Sequence, residues 1–195
     1  MATFDRIDIF ELADREDTLA GAADGANALA KLISSLSEIS GDRLILLDFR
    51  HIEVATSSFL REAVLGFRDY SRNSRPNLYP LVCNANLKVR EELEGLLKLK
   101  GDALVLCEVN SRNTITAATV VGKLEEKQRV TLQAVLKARR TDAVTLSRQD
   151  RETNLGPTAW NNRLASLSAK GILKESLTGR LKIYEPVVEA LCYGT

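Results

Sequence analysis

The chain has 195 residues, of which 45% are hydrophobic and 27% charged, with a net charge of +1. That suffices for one large or two small domains with buried cores and excludes wholesale disorder. No apolar run approaches the roughly 20 residues needed to cross a bilayer, and Met1-Ala-Thr-Phe-Asp-Arg-Ile7 lacks the basic start and apolar core of a secretory signal.

Ile7–Phe10 predicts a first strand, and residues from about Asp17 to Ile39 a helix with Leu29, Leu32, Ile33 and Leu36 at helical spacing. Leu44 to Phe49 is a near-continuous apolar run, the pattern of a strand covered on both faces. Ser57 to about Arg72 reads as a helix, Leu78–Cys83 as a strand, Leu87–Leu99 as a helix and Ala103–Val109 as the last strand of this half. Strands alternating with helices imply an α/β sheet with packed helices. Asn110–Gly122 is polar, then small and β-branched, and marks the boundary. We therefore expect a domain over residues 1–112, a linker over 113–123 and a second domain over 124–195. Cys83 and Cys107 fall in strand-like runs as buried thiols, and with Cys192 they make an odd count; no disulfide is expected.

In the second half, Leu124–Arg139 is helical, with Leu124, Leu132, Val135 and Leu136 on one stripe. Ser147-Arg-Gln-Asp150 reads as a capping-box-like opening of a short helix. Gly156-Pro157 is a turn, with Pro157 suited to the first turn of the helix that follows. Thr178-Gly179 reads as a hairpin turn between Ile172–Leu177 and Arg180–Glu185. Residues 1–123 carry 15 Lys+Arg and 18 Asp+Glu, net −3, whereas residues 124–195 carry 12 and 8, net +4. This asymmetry points a nucleic-acid role, if there is one, to the second half.

Two stretches concentrate the functional signal. The first runs from Asp48-Phe49 at a strand end, across a loop, to Thr56-Ser57-Ser58-Phe59-Leu60-Arg61-Glu62. A hydroxyl at a helix start either caps it, worth about 1 kcal/mol, or offers a phosphate or partner a site favoured by free backbone N–H groups. Asp48 is read as bonding the loop backbone. His51, the single histidine, follows the strand. Ser58, His51 and Asp48 lack a Gly-x-Ser-x-Gly elbow, and no Gly-rich phosphate loop or zinc-binding cluster is present in the sequence. Neither an enzyme nor a cofactor is expected.

Over roughly residues 5–110 the Asp-Phe and Ser-Ser-Phe-x-x-Glu pattern resembles the STAS fold, and within it a STAS-like variant family of unknown function related to the anti-sigma-factor antagonists. The resemblance implies a mixed sheet with helices, a partner of the histidine-kinase-like ATPase class, and a regulatory or partner-binding site at Asp48, Thr56, Ser57, Ser58 and Glu62. Ser58 matches the position phosphorylated in the antagonists. Phe59 stands where that branch has a small Gly, and Thr56 where it has an acidic residue.

The second stretch, Asn162-Arg163-Leu164-Ala-Ser-Leu167-Ser-Ala-Lys170-Gly171-Ile172-Leu173 followed by Gly179-Arg-Leu-Lys-Ile-Tyr184, resembles the winged helix superfamily, an α+β fold. At 100° per residue Trp160, Leu164 and Leu167 share one face as core, and Thr158, Asn162, Ala165, Ser166 and Ala169 face outward with Asn161 at the flank. Asn can read adenine in the major groove, and Arg163 and Lys170 sit where phosphate contacts fall. Arg148, Arg151, Arg180 and Lys182 add backbone contacts, the last two from the outer face of the hairpin. These expectations describe a cytoplasmic transcription regulator that couples a STAS-like partner-binding domain to a duplex-DNA-binding winged helix, with homodimerisation allowed. The alternative is an adaptor whose two domains both contact protein.

Overall fold

The computed structural model describes residues 4–36, 41–150 and 155–193. It is a mixed α/β protein built on a six-stranded sheet of order β1-β3-β5-β6-β7-β10. β1 (Phe4–Asp8), β3 (Arg43–Asp48), β5 (Leu78–Cys83) and β6 (Ala103–Val109) are mutually parallel. Antiparallel β7 (Ile115–Gly122) then pairs with β6, and β10 (Leu191–Cys192) adds to β7 in parallel. β7 occupies most of the stretch read as a linker: its alternation of small and β-branched residues belongs to a strand. At the other end of the chain, β1 covers Phe4–Asp8, and Asp8 caps a one-turn helix, α1 (Ile9–Leu12), so Ile9 and Phe10 are helical instead of extended.

The first four strands step in one direction across the sheet. Right-handed crossovers then put every connecting helix on the same face. These are α2 (Ala22–Ser35), a long helix after β3, and α5 (Leu87–Lys100). The long helix has three parts: α3 (Ser57–Leu60), a π-helical stretch Arg61–Leu65, and α4 (Gly66–Ser74). Their core holds Ile45, Leu47, Val82, Leu104 and Leu106 from the sheet, with Leu32, Phe59, Phe67, Val89 and Leu93 from the helices. Gly25 permits α2 to lie against the Phe59 turn: a Cβ there would sit 2.8 Å from the Phe59 carbonyl oxygen.

The opposite face would be bare if the chain ended at β7. Its side chains alternate with the first set: Leu44, Leu46, Leu81, Cys83, Val105 and Cys107. They are covered by the C-terminal segment, which comprises α6 (Glu126–Ala138), α7 (Ala143–Gln149), α8 (Pro157–Ala169) and the hairpin β8 (Leu173–Thr178) and β9 (Leu181–Pro186). Leu132, Val135, Leu146, Trp160, Leu164, Leu167 and Tyr184 join the sheet residues in one continuous core. The segment expected as a separate domain over 124–195 is therefore the second layer of the sheet, and β10 returns to the sheet edge.

Local signals explain the helix ends. α6 starts with a capping box between Glu125 and Gln128. α7 starts at Asp142, whose carboxylate accepts from the backbone N–H groups of Val144 (2.8 Å) and Thr145 (2.9 Å) and from the Thr145 hydroxyl (2.6 Å). The capping signal read at Ser147 lies in the last turn of that helix, where the hydroxyl donates to the Leu155 carbonyl. β8 and β9 are joined by Gly179-Arg180, with a positive φ of 63° at Gly179 alone, as in a two-residue type II′ turn. No helix among the described residues is long and apolar enough to cross a membrane.

Candidate functional site

Two surfaces gather the residues singled out in the sequence. The first lies at the carboxyl ends of the parallel strands, where open α/β sheets present loops for binding. Asp48 ends β3 and is 1% exposed. Its Oδ1 accepts from the Arg50 backbone N–H and from Asn84 Nδ2, both at 3.0 Å, and its Oδ2 lies 2.7 Å from Arg6 Nε. Asn84 in turn accepts from the Val109 N–H at 2.9 Å, and Arg50 donates to the Val109 carbonyl. The carboxylate thus ties together the ends of β1, β3, β5 and β6, a buried charge held by a partner and hydrogen bonds.

The hydroxyl loop is fastened separately. β4 (Val54–Ala55) pairs in parallel with β2 (Thr18–Leu19), and the Thr56 N–H donates to the Leu19 carbonyl at 2.9 Å. Thr56, not Ser57 or Ser58, is the N-cap: its Oγ1 accepts from the Phe59 N–H (3.4 Å) and the Gly21 N–H (3.3 Å). The cap falls one residue early because Thr56 is the last extended residue, with φ −74° and ψ 155°. Ser58 Oγ lies 3.1 Å from Thr56 Oγ1, and Ser57 donates to Glu92 on α5 at 2.6 Å. Glu62 pairs with Arg61 at 2.8 Å and shares no hydrogen bond with the three hydroxyls among the described residues.

Phe59 is buried in the core on the sheet side of the helix, and Ser58 is half-buried. His51 packs its ring against Phe10, with centroids 5.8 Å apart. No hydrogen bond among the described residues joins Ser58, His51 and Asp48. Sequence reasoning missed Arg6, Asn84, Asn86 and Glu92, which position this end. Asn86 caps α5 and donates to the Ile52 and Glu53 carbonyls. The two asparagines right after a strand were the available signal.

The second surface is the outward side of α8 and the hairpin. Trp160, Leu164 and Leu167 are buried as the spacing requires, and Thr158, Asn162 and Ala169 are exposed. Arg163 is half-buried, with its guanidinium carbon 5.5 Å from the Trp160 ring centroid. Asn161 accepts from the Tyr184 hydroxyl at 3.3 Å, which draws it toward the hairpin. Burial, reinforced by the Glu175 carboxylate, pushes the Tyr184 hydroxyl above its ordinary pKa and keeps it protonated. Arg148 and Arg180 are exposed, while Arg151 lies outside the described residues.

Three polar residues of this set differ from expectation, and Ala165, expected to face outward, is half-buried. Lys170 is bound to Asp102 at the start of β6, so its ammonium joins α8 to the sheet half of the molecule instead of standing free for a phosphate. Burial alone would raise the Asp102 pKa, but Lys170 and Arg68, which donates at 2.6 Å, hold it below the usual carboxylate range. Ser166 is half-buried and accepts from Gln128 on α6 at 2.7 Å. Lys182 lies on the same face of the hairpin as buried Tyr184 and bridges to Glu175 at 2.6 Å; the outer face carries Leu181 and Ile183. Tyr184, a polar-tipped aromatic, occupies the core position of this strand.

Comparison with family models, with characterised proteins and with solved structures yields no match.

Proposed function

We propose that the protein is a regulator in which a STAS-like sheet half binds a protein partner and a winged helix half binds duplex DNA, without a cofactor. The DNA reading is carried by the first two turns of α8. There Thr158 and Asn162 are exposed and free of partners among the described residues, with Arg163 on the same helix and with Arg148 on α7 and Arg180 at the hairpin turn also exposed. An exposed asparagine on a helix offers the donor and acceptor pair that reads adenine, and arginines offer phosphate contacts. Lys170 and Asp102 then act as the joint that fixes α8 to the sheet. Arg72 supports that joint by donating to the Ser168 carbonyl at 3.2 Å.

Fluorescence anisotropy of the full chain on labelled duplexes tests this reading. Affinity should fall steeply with salt. Asn162→Ala should relax sequence preference by about 1–3 kcal/mol at one position, and Arg180→Ala should weaken all sequences alike. Absence of binding at low salt would sink the DNA reading.

The partner half of the reading rests on the hydroxyl loop. Ser58 is half-buried beside the Thr56 cap, and Ser57 is held by Glu92, so a histidine-kinase-like ATPase or similar protein would meet an ordered edge. Co-purification with such an ATPase, weakened by Ser58→Glu, is the expected outcome; equal binding by wild type and variant would count against it. A second reading, the adaptor with two protein-binding surfaces, is favoured by one observation. The hairpin tip exposes Leu177 (69%) and Leu181 (41%) on opposite faces, an apolar tip where a DNA-binding wing gains from charge.

A further inference from the structure

The C-terminal layer does not seal against the sheet everywhere. Between the start of β1, the loop before β7 and the base of the hairpin lies an open cleft of about 930 Å³. This is within the usual range for small-molecule sites. Phe4, Ile115, Pro186 and Val188 give it apolar surface. Arg139, Arg140 and Lys174 bring cationic groups to it, and Glu185 and Glu189 supply carboxylates.

These charges are not equivalent. Arg139 donates to the Glu189 carbonyl at 2.9 Å and so pins the bend and turn over 187–190 to the end of α6. Its backbone is left-handed, with φ 63° and ψ −42°, and the Arg140 N–H closes a three-residue turn onto the Ala138 carbonyl at 2.7 Å. This is the rare, strained form of γ-turn, and no glycine is used to relieve it. The turn places consecutive arginines at the cleft. Lys174 and Glu185 are directly opposed across the hairpin and offset each other in charge. The Arg140 side chain has no hydrogen bond or ion pair among the described residues. The cleft therefore offers an exposed guanidinium, without a protein partner among the described residues, beside an apolar wall.

We propose that this cleft binds a small organic anion, an apolar body carrying a carboxylate or phosphate, with Arg140 and secondarily Lys174 holding the anionic head. Guanidinium is the side chain best matched to such heads, because its fork donates two parallel hydrogen bonds. The apolar body would lie on Phe4, Ile115 and Val188. Because the walls come from both ends of the chain, bound ligand would bridge the sheet and the hairpin. The site would thus act as an effector site, whichever macromolecule the α8 face contacts.

The test uses the full chain and three probes: decanoate, decyl phosphate and, as the uncharged match, decanol. Thermal unfolding and isothermal titration are followed with each, since a ligand that binds only the folded state raises the melting temperature. At least one of the two anions should bind and stabilise the protein, and decanol should bind at least about tenfold more weakly, as loss of a charged hydrogen bond implies. Arg140→Gln with Lys174→Gln should lose about tenfold in anion affinity while unfolding like the wild type without ligand, both side chains being partly or fully exposed. Ile115→Glu, which puts a carboxylate against the wall, should weaken both anions as well. The proposal is overturned if neither anion binds at millimolar concentration, if decanol binds as well as the anions, or if the Arg140/Lys174 double variant binds them as the wild type does.

Discussion

The two faces of the sheet are buried in different ways. One is covered by helices that belong to the crossovers themselves, so each helix is close in sequence to the strands it protects. The other is covered by a segment that begins only after the last sheet strand of the N-terminal half, around Leu124, and reaches back to β3 and β5. The first cover follows from the handedness of βαβ units. The second depends on contacts far apart in sequence and on a small number of polar ties: Lys170 to Asp102, Arg72 to Ser168, and β10 to β7. The segment after residue 123 thus shares one core with the sheet residues that face it.

Truncation gives the sharpest test of that difference. Residues 1–123 alone would expose Leu44, Leu46, Leu81 and Val105 to water, and we expect this fragment to aggregate or to lose fixed tertiary packing. The full chain should unfold in one cooperative calorimetric transition. Two separate transitions, or a soluble fragment with native-like dispersion in NMR spectra, would show the faces to be independent.

Two glycines packed against the crossover helices compare a close approach with and without an unfavourable φ. At Gly122, φ is 96° and a Cβ would lie 2.3 Å from the Asp102 carbonyl oxygen and 2.7 Å from Leu97 Cβ. Gly122→Ala should therefore cost about 3 kcal/mol or more. Gly25→Ala meets the Phe59 carbonyl at 2.8 Å without an unfavourable φ. It should cost less, about 1–3 kcal/mol. Urea unfolding of both variants checks the order.

Asp102→Asn probes the polar joint. It removes the charge shared by Arg68 and Lys170, and we expect a loss of about 2 kcal/mol, with faster hydrogen exchange in α8 than in α5. The pH dependence has a definite sign. The folded-state pKa of Asp102 is depressed, so its contribution is complete above the unfolded value of about 3.9 and is lost as pH falls through the folded value. Wild type should lose stability on acidification below about pH 4 more steeply than Asp102→Asn does.

The smallest effects distinguish the hydroxyls. Thr56→Ala should cost about 1 kcal/mol as the loss of an N-cap, and Ser58→Ala only a few tenths. Equal losses in thermal melts would place the cap at both residues.

Much of the architecture was legible. Leu44–Phe49, Leu78–Cys83 and Ala103–Val109 are apolar runs too rich in β-branched and leucine residues to be surface, and each matches a sheet strand to within one residue. The unbroken run at Leu44–Asp48 even indicated that both faces would be covered. The helix spacing of Trp160, Leu164 and Leu167 identified the buried side of α8. Asp48 was readable as a loop-bonding carboxylate because it ends a buried strand, where a charge survives only with partners. The cap at Asp142 was obscured by the better-known pattern at Ser147, and Thr56 by the two serines after it, because several hydroxyls in a row offer equivalent local chemistry.

By itself, then, the sequence determined the period of each element, the residues that must leave water and the places where polar groups need partners. These are properties of neighbours within a few positions along the chain. Only the tertiary structure decided which buried face meets which: that the helices and hairpin after residue 123 are the second layer of the first sheet, that Lys170 faces Asp102 and not solvent, that Tyr184 takes the core position beside Lys182, and that an open cleft remains beside Arg140. Hydrophobic burial is non-directional, so the pattern specifies that a face is covered without specifying its cover. The choice is made by shape and by charge pairs between residues about 70 positions apart in the Asp102–Lys170 case, which no local spacing encodes.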